Sequence, residues 1–180
     1  VLRVHGAALP PEHVAEVDGL PCTTVPRTAV DLARRGDLPA AIVVMDSAMR
    51  LLLARRFHDL TRRLRLGSVG RDAVEDARTQ LQSAGGFVRG WPGGRTVAAA
   101  VDAADPRSES PFESWSRGWM LAVGLPTPQL NVVVRGRSGR AYVGDFVQAV
   151  KSGPDCLMEL AIQAPGLEQA TKCGLEQAVV

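Results

Sequence analysis

Three acidic residues, Glu113, Asp145 and Glu159, are the side chains of this sequence best suited to metal chemistry. Glu113 lies in "SPFESWSR", Asp145 in "RAYVGDFV" and Glu159 in "CLMELAIQ", which predict a helix start and two strands. Carboxylates from three such elements can form an oxygen-rich site for Mg²⁺ or Mn²⁺. A bound ion of this kind can activate a water and stabilise the departing oxygen of a phosphodiester. The pattern therefore predicts that these three residues are metal ligands with a catalytic role.

Glu113 has a second explanation that involves no active site. Ser110 suits the N-cap of a helix, Pro111 its first position, and Glu113 the N3 position, from which its side chain reaches back to the N-cap amide. Asp145 is harder to explain, because it lies on an otherwise apolar strand face where an unpaired charge is costly. Exposure at a sheet edge is the alternative for Asp145.

Six arginines within sixteen residues form the strongest charge cluster, and only Asp59 opposes them. They are Arg50, Arg55, Arg56, Arg62, Arg63 and Arg65. The four from Arg55 to Arg63 are candidates for contacts with nucleic acid. A solvated helix face is the alternative, because no aromatic residues interleave with the arginines.

The elements that position these residues follow from periodicity and turn signals. "VAEVDGLPCTTV" predicts a hairpin around Asp18-Gly19, and "RTAVDLARR" a helix whose buried stripe includes Leu32. A helix from about residue 39 to 56 is predicted to be central, and another from 71 to 84 ends at a glycine pair before a linker, "GFVRGWPGGR". In the helix from Pro111 to Val123, the spacing of Phe112, Trp115 and Trp119 predicts a core stripe. "QLNVVVRG" and "RAYVGDFV" predict a second hairpin.

Composition bounds the class of protein. The chain has 180 residues, 46% of them apolar, which is enough for a packed core. Its three cysteines, Cys22, Cys156 and Cys173, form neither a metal-binding pair nor an even disulfide framework, so a cytoplasmic location is expected. No apolar run approaches the roughly 18 residues that cross a bilayer, so no membrane partner is expected.

Two blocks of sequence resemble a known family. "VHGAALPPEHVAEVDGLPCTTVPRTAVDLARR" resembles the region that follows the winged helix in bacterial AbiEi-type abortive-infection antitoxin-like proteins. "SPFESWSRGWMLAVGLPTPQLNVVV" and "AYVGDF" resemble their C-terminal domain, which is similar to very-short-patch-repair endonucleases of the PD-(D/E)XK class. The resemblance covers about residues 3 to 147. It implies a restriction-endonuclease-like core with Glu113 and Asp145 as metal ligands, and DNA or a cognate toxin as partner.

The sequence departs from that family near its end. In "MELAIQ", Ala161 and Ile162 stand where the family's strand has an aspartate and a glycine. The family's catalytic lysine has no clear counterpart, since Lys151 is expected in a loop. The tail from residue 164 to 180 reads as a divergent or frameshifted end, and no winged helix precedes residue 1 in this sequence. The expected organisation is a mainly helical part, residues 1–104, a partial nuclease-like core, residues 105–163, and the tail.

The expected fold class is α/β of the α+β kind: a helical N-terminal half followed by a small mixed sheet with flanking helices. The expected function is a non-catalytic, DNA-associated or toxin-antitoxin-related regulator, because catalytic sites fail steeply when one member is missing. An active Mg²⁺-dependent DNA endonuclease is the alternative, and a truncated product without function of its own is a third. The oligomeric state does not follow from the sequence.

Overall fold

The computed structural model describes residues 6–135, 141–151 and 157–162. Within these residues the chain forms six α-helices and two small sheets, which confirms an α+β fold with a helical N-terminal half. The helices are α1 (Val25–Ala33), α2 (Leu38–Ala54), α3 (Leu60–Arg65), α4 (Arg71–Phe87), α5 (Gly94–Ala103) and α6 (Pro111–Ala122). The strands are β1 (Val14–Val17), β2 (Leu20–Thr23), β3 (Gln129–Arg135), β4 (Ala141–Lys151) and β5 (Leu157–Ile162).

The N-terminal hairpin pairs β1 with β2 in antiparallel register, with Val17 opposite Leu20. Its two-residue turn has positive φ at both positions, 52° at Asp18 and 77° at Gly19. Two positive φ values match the twist of a tight hairpin, and Asp-Gly accepts them at low cost. The predicted hairpin is confirmed.

Helix α2 is the centre of the helical half, as its nearly continuous apolar sequence predicts. Asp37 caps it by accepting a hydrogen bond from the Ala40 amide at 3.0 Å. Its buried side chains include Met45, Met49 and Leu53, and α1, α4, α5 and α6 all pack on it. This helix therefore fixes the position of α6, whose first turn carries Glu113.

Two sequence expectations about the helical half are wrong. Helix α4 continues through the glycine pair to Phe87, because its buried face of Ala77, Leu81 and Ala84 extends to Val88 at helical spacing. Part of the predicted linker, including Val88, therefore belongs to the hydrophobic core. In α1 Leu32 is 56% exposed, and the buried face is formed by Ala29, Val30 and Ala33 together with Arg27.

The second sheet has the order β3-β4-β5, and both of its strand pairs are antiparallel. The predicted second hairpin and third strand are therefore confirmed, although the turn at 136–140 lies outside the described residues. Parallel pairing, which a mixed sheet requires, does not occur among the described strands. Gly144 and Phe146 are buried and Asp145 between them is half-buried, as expected when successive residues of β4 point to opposite faces.

Packing contacts cross the predicted domain boundary at residue 104. Helix α6 lies after that position and packs along α2, which lies before it. The Asp105 amide also donates to Asp46 of α2 at 2.8 Å. The tail at 164–180, which the sequence predicts to be divergent, lies outside the described residues. In the described part of the chain, no helix has the length and apolar character needed to cross a membrane.

Candidate acidic site and arginine patch

The start of α6 is a capping box built by Ser110 and Glu113. The Glu113 amide donates to Ser110 Oγ at 3.2 Å, and Ser110 Oγ donates to Glu113 Oε1 at 2.7 Å. Glu113 Oε2 accepts from the amide of Glu109 at 2.9 Å, one residue before the expected N-cap amide. The capping role of Glu113 is confirmed, and both of its carboxylate oxygens are fixed by it.

The aromatic face of α6 does not form the core, contrary to the sequence prediction. Phe112 is 72% exposed, and Trp115 and Trp119 are each 44% exposed. The face that packs on α2 consists of Ser114, Arg117 and Gly118. The reason is close helix contact: a Cβ on Gly118 would lie 2.5 Å from Pro39 Cα, so only a small residue lets the two backbones approach.

A buried ion pair joins α6 to α2, and the sequence interpretation missed it. Arg117 Nη2 donates to both carboxylate oxygens of Asp46, at 2.7 and 2.6 Å, and both side chains are about 2% exposed or less. Burial raises the pKa of Asp46, while the charge and hydrogen bonds of Arg117 act in the opposite direction. A lone aspartate in an otherwise apolar helix was the available signal, since a buried charge requires a partner.

The negative charges of Glu113 and Glu109 act electrostatically on Asp145. Partial burial raises its pKa, and Glu113 and then Glu109 raise it further, whereas Arg65 lowers it. Like charges that disfavour ionisation of a third carboxyl group indicate a shared environment. We call Glu109, Glu113 and Asp145 the acidic cluster. Two of the three predicted ligands, Glu113 and Asp145, are thus electrostatically coupled, and Glu109 is a third acid that the sequence interpretation did not include.

The third predicted ligand, Glu159, lies on β5 opposite Ala149 of β4. Ala149 is four positions along the strand from Asp145, about 13 Å at the usual rise per residue. The register therefore gives no support to Glu159 as a ligand of the same ion. Among the residues that the structure describes, no group of three or more His, Cys, Asp or Glu side chains could hold a metal ion.

Lys151 is not in a loop, as the sequence predicted, but is the last residue of β4. It lies six positions from Asp145, about 20 Å along the strand. Asp145 and Lys151 are therefore too far apart for the lysine to orient a water held at Asp145. The position of a catalytic lysine is not filled by this residue.

Carboxylates are the kind of donor that Mg²⁺ binds, although Glu109, Glu113 and Asp145 do not form a group that could hold a metal ion by itself. Carboxylate oxygens are hard ligands, and Mg²⁺ is commonly held by one or two carboxylates together with waters and substrate phosphates. Glu113 and Asp145 supply two, and their mutual repulsion is the electrostatic setting that a cation relieves. An ion bound there would offset the negative charge of a phosphodiester. The capping box would hold Glu113 in place meanwhile.

The four candidate DNA-contacting arginines, Arg55, Arg56, Arg62 and Arg63, are all exposed, and we call them the arginine patch. Arg56 pairs with Asp76 at 2.9 Å. Arg63 donates to the His58 carbonyl at 3.1 Å and lies over the Phe57 ring. Within the described structure the side chains of Arg55 and Arg62 have no hydrogen-bond or ion-pair partner, so their charges are available to a ligand.

The other two arginines of the run have structural contacts. Arg50 donates to the carbonyls of Pro106 and Ser108 and to the Thr61 hydroxyl, so it fastens the segment before α6 to α2 and α3. Arg65 forms a two-pronged ion pair with Glu109. The charge run of the sequence thus divides into a solvent-facing patch and two residues that hold the start of α6.

Comparisons with known proteins give two relatives and no family. No protein-family model matches the chain, and no solved structure matches it significantly. The chain is 28% identical over 152 residues to "Uncharacterized protein MT2308" of Mycobacterium tuberculosis strain CDC 1551 / Oshkosh and to "Uncharacterized protein Rv2248" of strain ATCC 25618 / H37Rv. These matches cover 84% of this chain and 45% of each relative, so the chain spans less than half the length of the curated relatives it matches.

Proposed function

We propose that this protein is a non-catalytic, DNA-associated regulator of the AbiEi antitoxin-like kind, with a PD-(D/E)XK-like C-terminal part. The observation that carries the DNA-binding half of the proposal is the arginine patch, in which Arg55 and Arg62 are exposed and without partners in the described structure. Planar guanidinium groups with free donors suit phosphate oxygens. Cytoplasmic location and a cognate toxin partner belong to the same proposal, the first because the three cysteines of the sequence form no even disulfide framework.

We propose that the protein does not cleave DNA, because two residues that cleavage would need lie away from Asp145. Glu113 and Asp145 are electrostatically coupled, but the β5 register separates Glu159 from Asp145, and Lys151 is at the far end of β4. Phosphodiester hydrolysis needs a group that orients the attacking water and offsets charge on the phosphate. Neither Glu159 nor Lys151 lies where it could do so, which favours binding over cleavage.

The test is the salt dependence of DNA affinity. For duplex DNA, log affinity falls with log salt with a slope of about 0.9 for every phosphate that the protein neutralises. We expect the double variant Arg55→Gln/Arg62→Gln to neutralise two phosphates fewer, which makes the slope shallower and weakens binding to all sequences alike. The charge-matched control is Arg89→Gln/Arg95→Gln, which removes two exposed arginines elsewhere in the fold. Equal slopes for the two double variants would contradict the arginine patch as the binding surface.

An active Mg²⁺- or Mn²⁺-dependent DNA endonuclease is the second candidate. It is favoured by the electrostatic coupling of Glu113 and Asp145, which are the two positions implied as metal ligands by the family resemblance. Incubating the full chain with supercoiled DNA and either ion distinguishes the two candidates. Cleavage that disappears in Asp145→Asn would establish the enzyme, whereas binding without cleavage is the result we expect.

A further inference from the structure

The solvent-facing side of α6 is aromatic along most of its length. Phe112 is 72% exposed, and Trp115 and Trp119 are each 44% exposed. The centroids of the Phe112 and Trp115 rings are 6.2 Å apart, and those of Trp115 and Trp119 are 5.9 Å apart in an edge-to-face arrangement. Val123, one turn further along, is 67% exposed. Residues three and four positions apart lie on one side of a helix, and we call these four residues the aromatic stripe.

The aromatic stripe contains no charged side chain. The charged residues of α6 are Glu113, which is fixed in the capping box, and Arg117, which is buried against Asp46. The centre of a protein–protein interface is depleted in charge and enriched in tryptophan and phenylalanine. Surfaces that stack the bases of single-stranded nucleic acid combine aromatic rings with a positively charged groove. The composition of the stripe therefore favours a protein as its occupant.

The area of the aromatic stripe matches what a stable dimer requires from each copy. A phenylalanine or tryptophan side chain has about 150–250 Å² of surface, so the exposed fractions of the three rings leave roughly 350 Å² open to solvent. An interface of standard size buries about 800 Å² on each partner, of which roughly 60% is apolar. The three rings thus supply about 70% of that apolar share, and Val123 extends it.

Two copies of the aromatic stripe are complementary when their helices meet antiparallel about a two-fold axis. In such a contact the same pair of residues meets on both sides of the axis. An axis at the middle of the stripe sets Trp115 of one copy against Trp119 of the other, and the large Phe112 against the smaller Val123. Large residues opposite small ones interdigitate, and aromatic rings pack well edge to face.

Antiparallel packing also keeps like charges apart. It places Glu113 of one copy beside residues 119–125 of the other, which contain no charged side chain. Parallel packing would instead bring the two Glu113 carboxylates to the same end of the contact, where like charges disfavour association. The charge distribution of α6 therefore selects the antiparallel arrangement.

We propose that the aromatic stripe is a homodimer interface, at which the α6 helices of two copies of this chain pack antiparallel. A second copy would bury Trp115 and Trp119, whose spacing predicts a core position that the single chain does not provide. The interface requires neither DNA binding by the arginine patch nor a metal at the acidic cluster, so it is independent of the proposed function.

The experiment is sedimentation velocity of the full chain from roughly 0.1 to 100 µM, a range that includes the weakest affinities typical of such an interface. We expect a monomer–dimer equilibrium that depends on concentration. A central tryptophan is removed twice from a symmetric dimer, so Trp119→Ala should weaken dimerisation about a hundredfold or more. Leu32→Ala, which removes an exposed apolar side chain from α1, should leave it unchanged. Circular dichroism of the dilute proteins shows whether each variant is folded.

A pair of charges tests the orientation of the two helices. Val123→Glu places a carboxylate in the apolar contact and should abolish dimerisation. Adding Phe112→Lys should restore it, because the new lysine of one copy meets the new glutamate of the other. Within one chain the two positions are about 16 Å apart along the helix, so they cannot pair with each other.

Three outcomes would overturn the homodimer. They are a native chain that is monomeric at every concentration, equal dimer affinity in Trp119→Ala and the native protein, and a Phe112→Lys/Val123→Glu variant no more dimeric than Val123→Glu. A monomeric native chain in which Trp119→Ala lowers DNA affinity would assign the stripe to nucleic acid instead. The arginine patch lies outside the stripe, so the loss of DNA binding in its variants leaves dimerisation unchanged, and either proposal can fail while the other stands.

Discussion

Helix α6 carries two charged groups, little more than one turn apart, that have opposite environments. Arg117 is buried against Asp46 in a dry contact with α2, and the two charges cancel. Glu113 lies at the solvent-facing start of the same helix, where the neighbouring charges of Glu109 and Asp145 have the same sign. Arg117 and Asp46 form a neutral pair with fixed geometry. The carboxylates around Glu113 carry an excess of negative charge that the exposed Arg65 partly offsets.

The difference separates a structural charge from a candidate functional one. A buried pair is tolerated when its geometry and hydrogen bonds compensate the loss of water, and its removal is felt mainly by the fold. A group of like charges offers no such compensation and persists at a cost to stability. Removing a carboxylate charge at the two places should therefore change stability in opposite directions.

The largest effect is expected from Asp46→Ala, because it leaves the Arg117 charge buried without its partner. Breaking a buried pair from one side costs about 3–5 kcal/mol of unfolding free energy. Urea denaturation of the native protein and the variant measures this loss. The double variant Asp46→Ala/Arg117→Met should recover much of it, and a loss below about 1 kcal/mol in Asp46→Ala would show that the pair is not shielded as the structure indicates.

A smaller loss is expected from Gly118→Ala, which tests the close helix contact beside the buried pair. The added Cβ would lie 2.5 Å from Pro39 Cα, so the helices must separate, at a cost of about 1–3 kcal/mol. Gly86→Ala in α4 is the matched control, since its Cβ meets nothing within 4 Å. An alanine there should stabilise the helix by about 0.5–1 kcal/mol. The same sign of change at both glycines would contradict the packing of α6 on α2.

Ser110→Ala tests how much of the Glu113 position depends on the capping box. Removal of an N-cap hydroxyl costs about 1 kcal/mol, which corresponds to a fall in melting temperature of about 2–4 °C for a chain of this size. Thermal unfolding followed by circular dichroism measures it. Ser116→Ala, in the middle of the same helix, should have little effect or a slight stabilising one. Equal behaviour of the two variants would mean that Glu113 holds its place without Ser110.

The smallest effect is expected from Asp145→Asn, and its sign is opposite to the others. The folded-state pKa of Asp145 is raised, so the folded chain binds more protons than the unfolded chain between the ordinary carboxyl pKa and the raised one. Ionisation of Asp145 therefore lowers stability as the pH rises through that window. Without metal, Asp145→Asn should melt slightly higher than the native protein at neutral pH.

The pH dependence provides the internal control for that prediction. Below about pH 4 the carboxyl becomes protonated in both folded and unfolded chains, so the advantage of Asp145→Asn should shrink and then vanish. Melting temperatures of both proteins in chelator at neutral and acidic pH measure it. An asparagine variant that is less stable at neutral pH would show that the Asp145 charge has a favourable partner, as Asp46 has.

Local signals in the sequence were enough for most of the elements and their ends. Asp18-Gly19 predicted a hairpin turn, and Ser110, Pro111 and Glu113 predicted the start of α6, because both depend on interactions within a few residues. The glycine pair of α4 misled the prediction of a helix end, because burial of Val88 outweighs the weak helix preference of glycine. Local residue preference sets the end of a helix where packing favours neither alternative, and packing sets it elsewhere.

What the sequence by itself determined is the fold class, the order of elements and the exposed character of the arginine patch. The tertiary structure alone decided which face of α6 is buried, because small residues beside Arg117 allow the close approach to α2 while the tryptophans remain exposed. It also decided that Arg65 pairs with Glu109 and that Glu159 lies far along the sheet from Asp145. Those relations depend on distances between residues remote in the chain, and periodicity along one element carries no information about them.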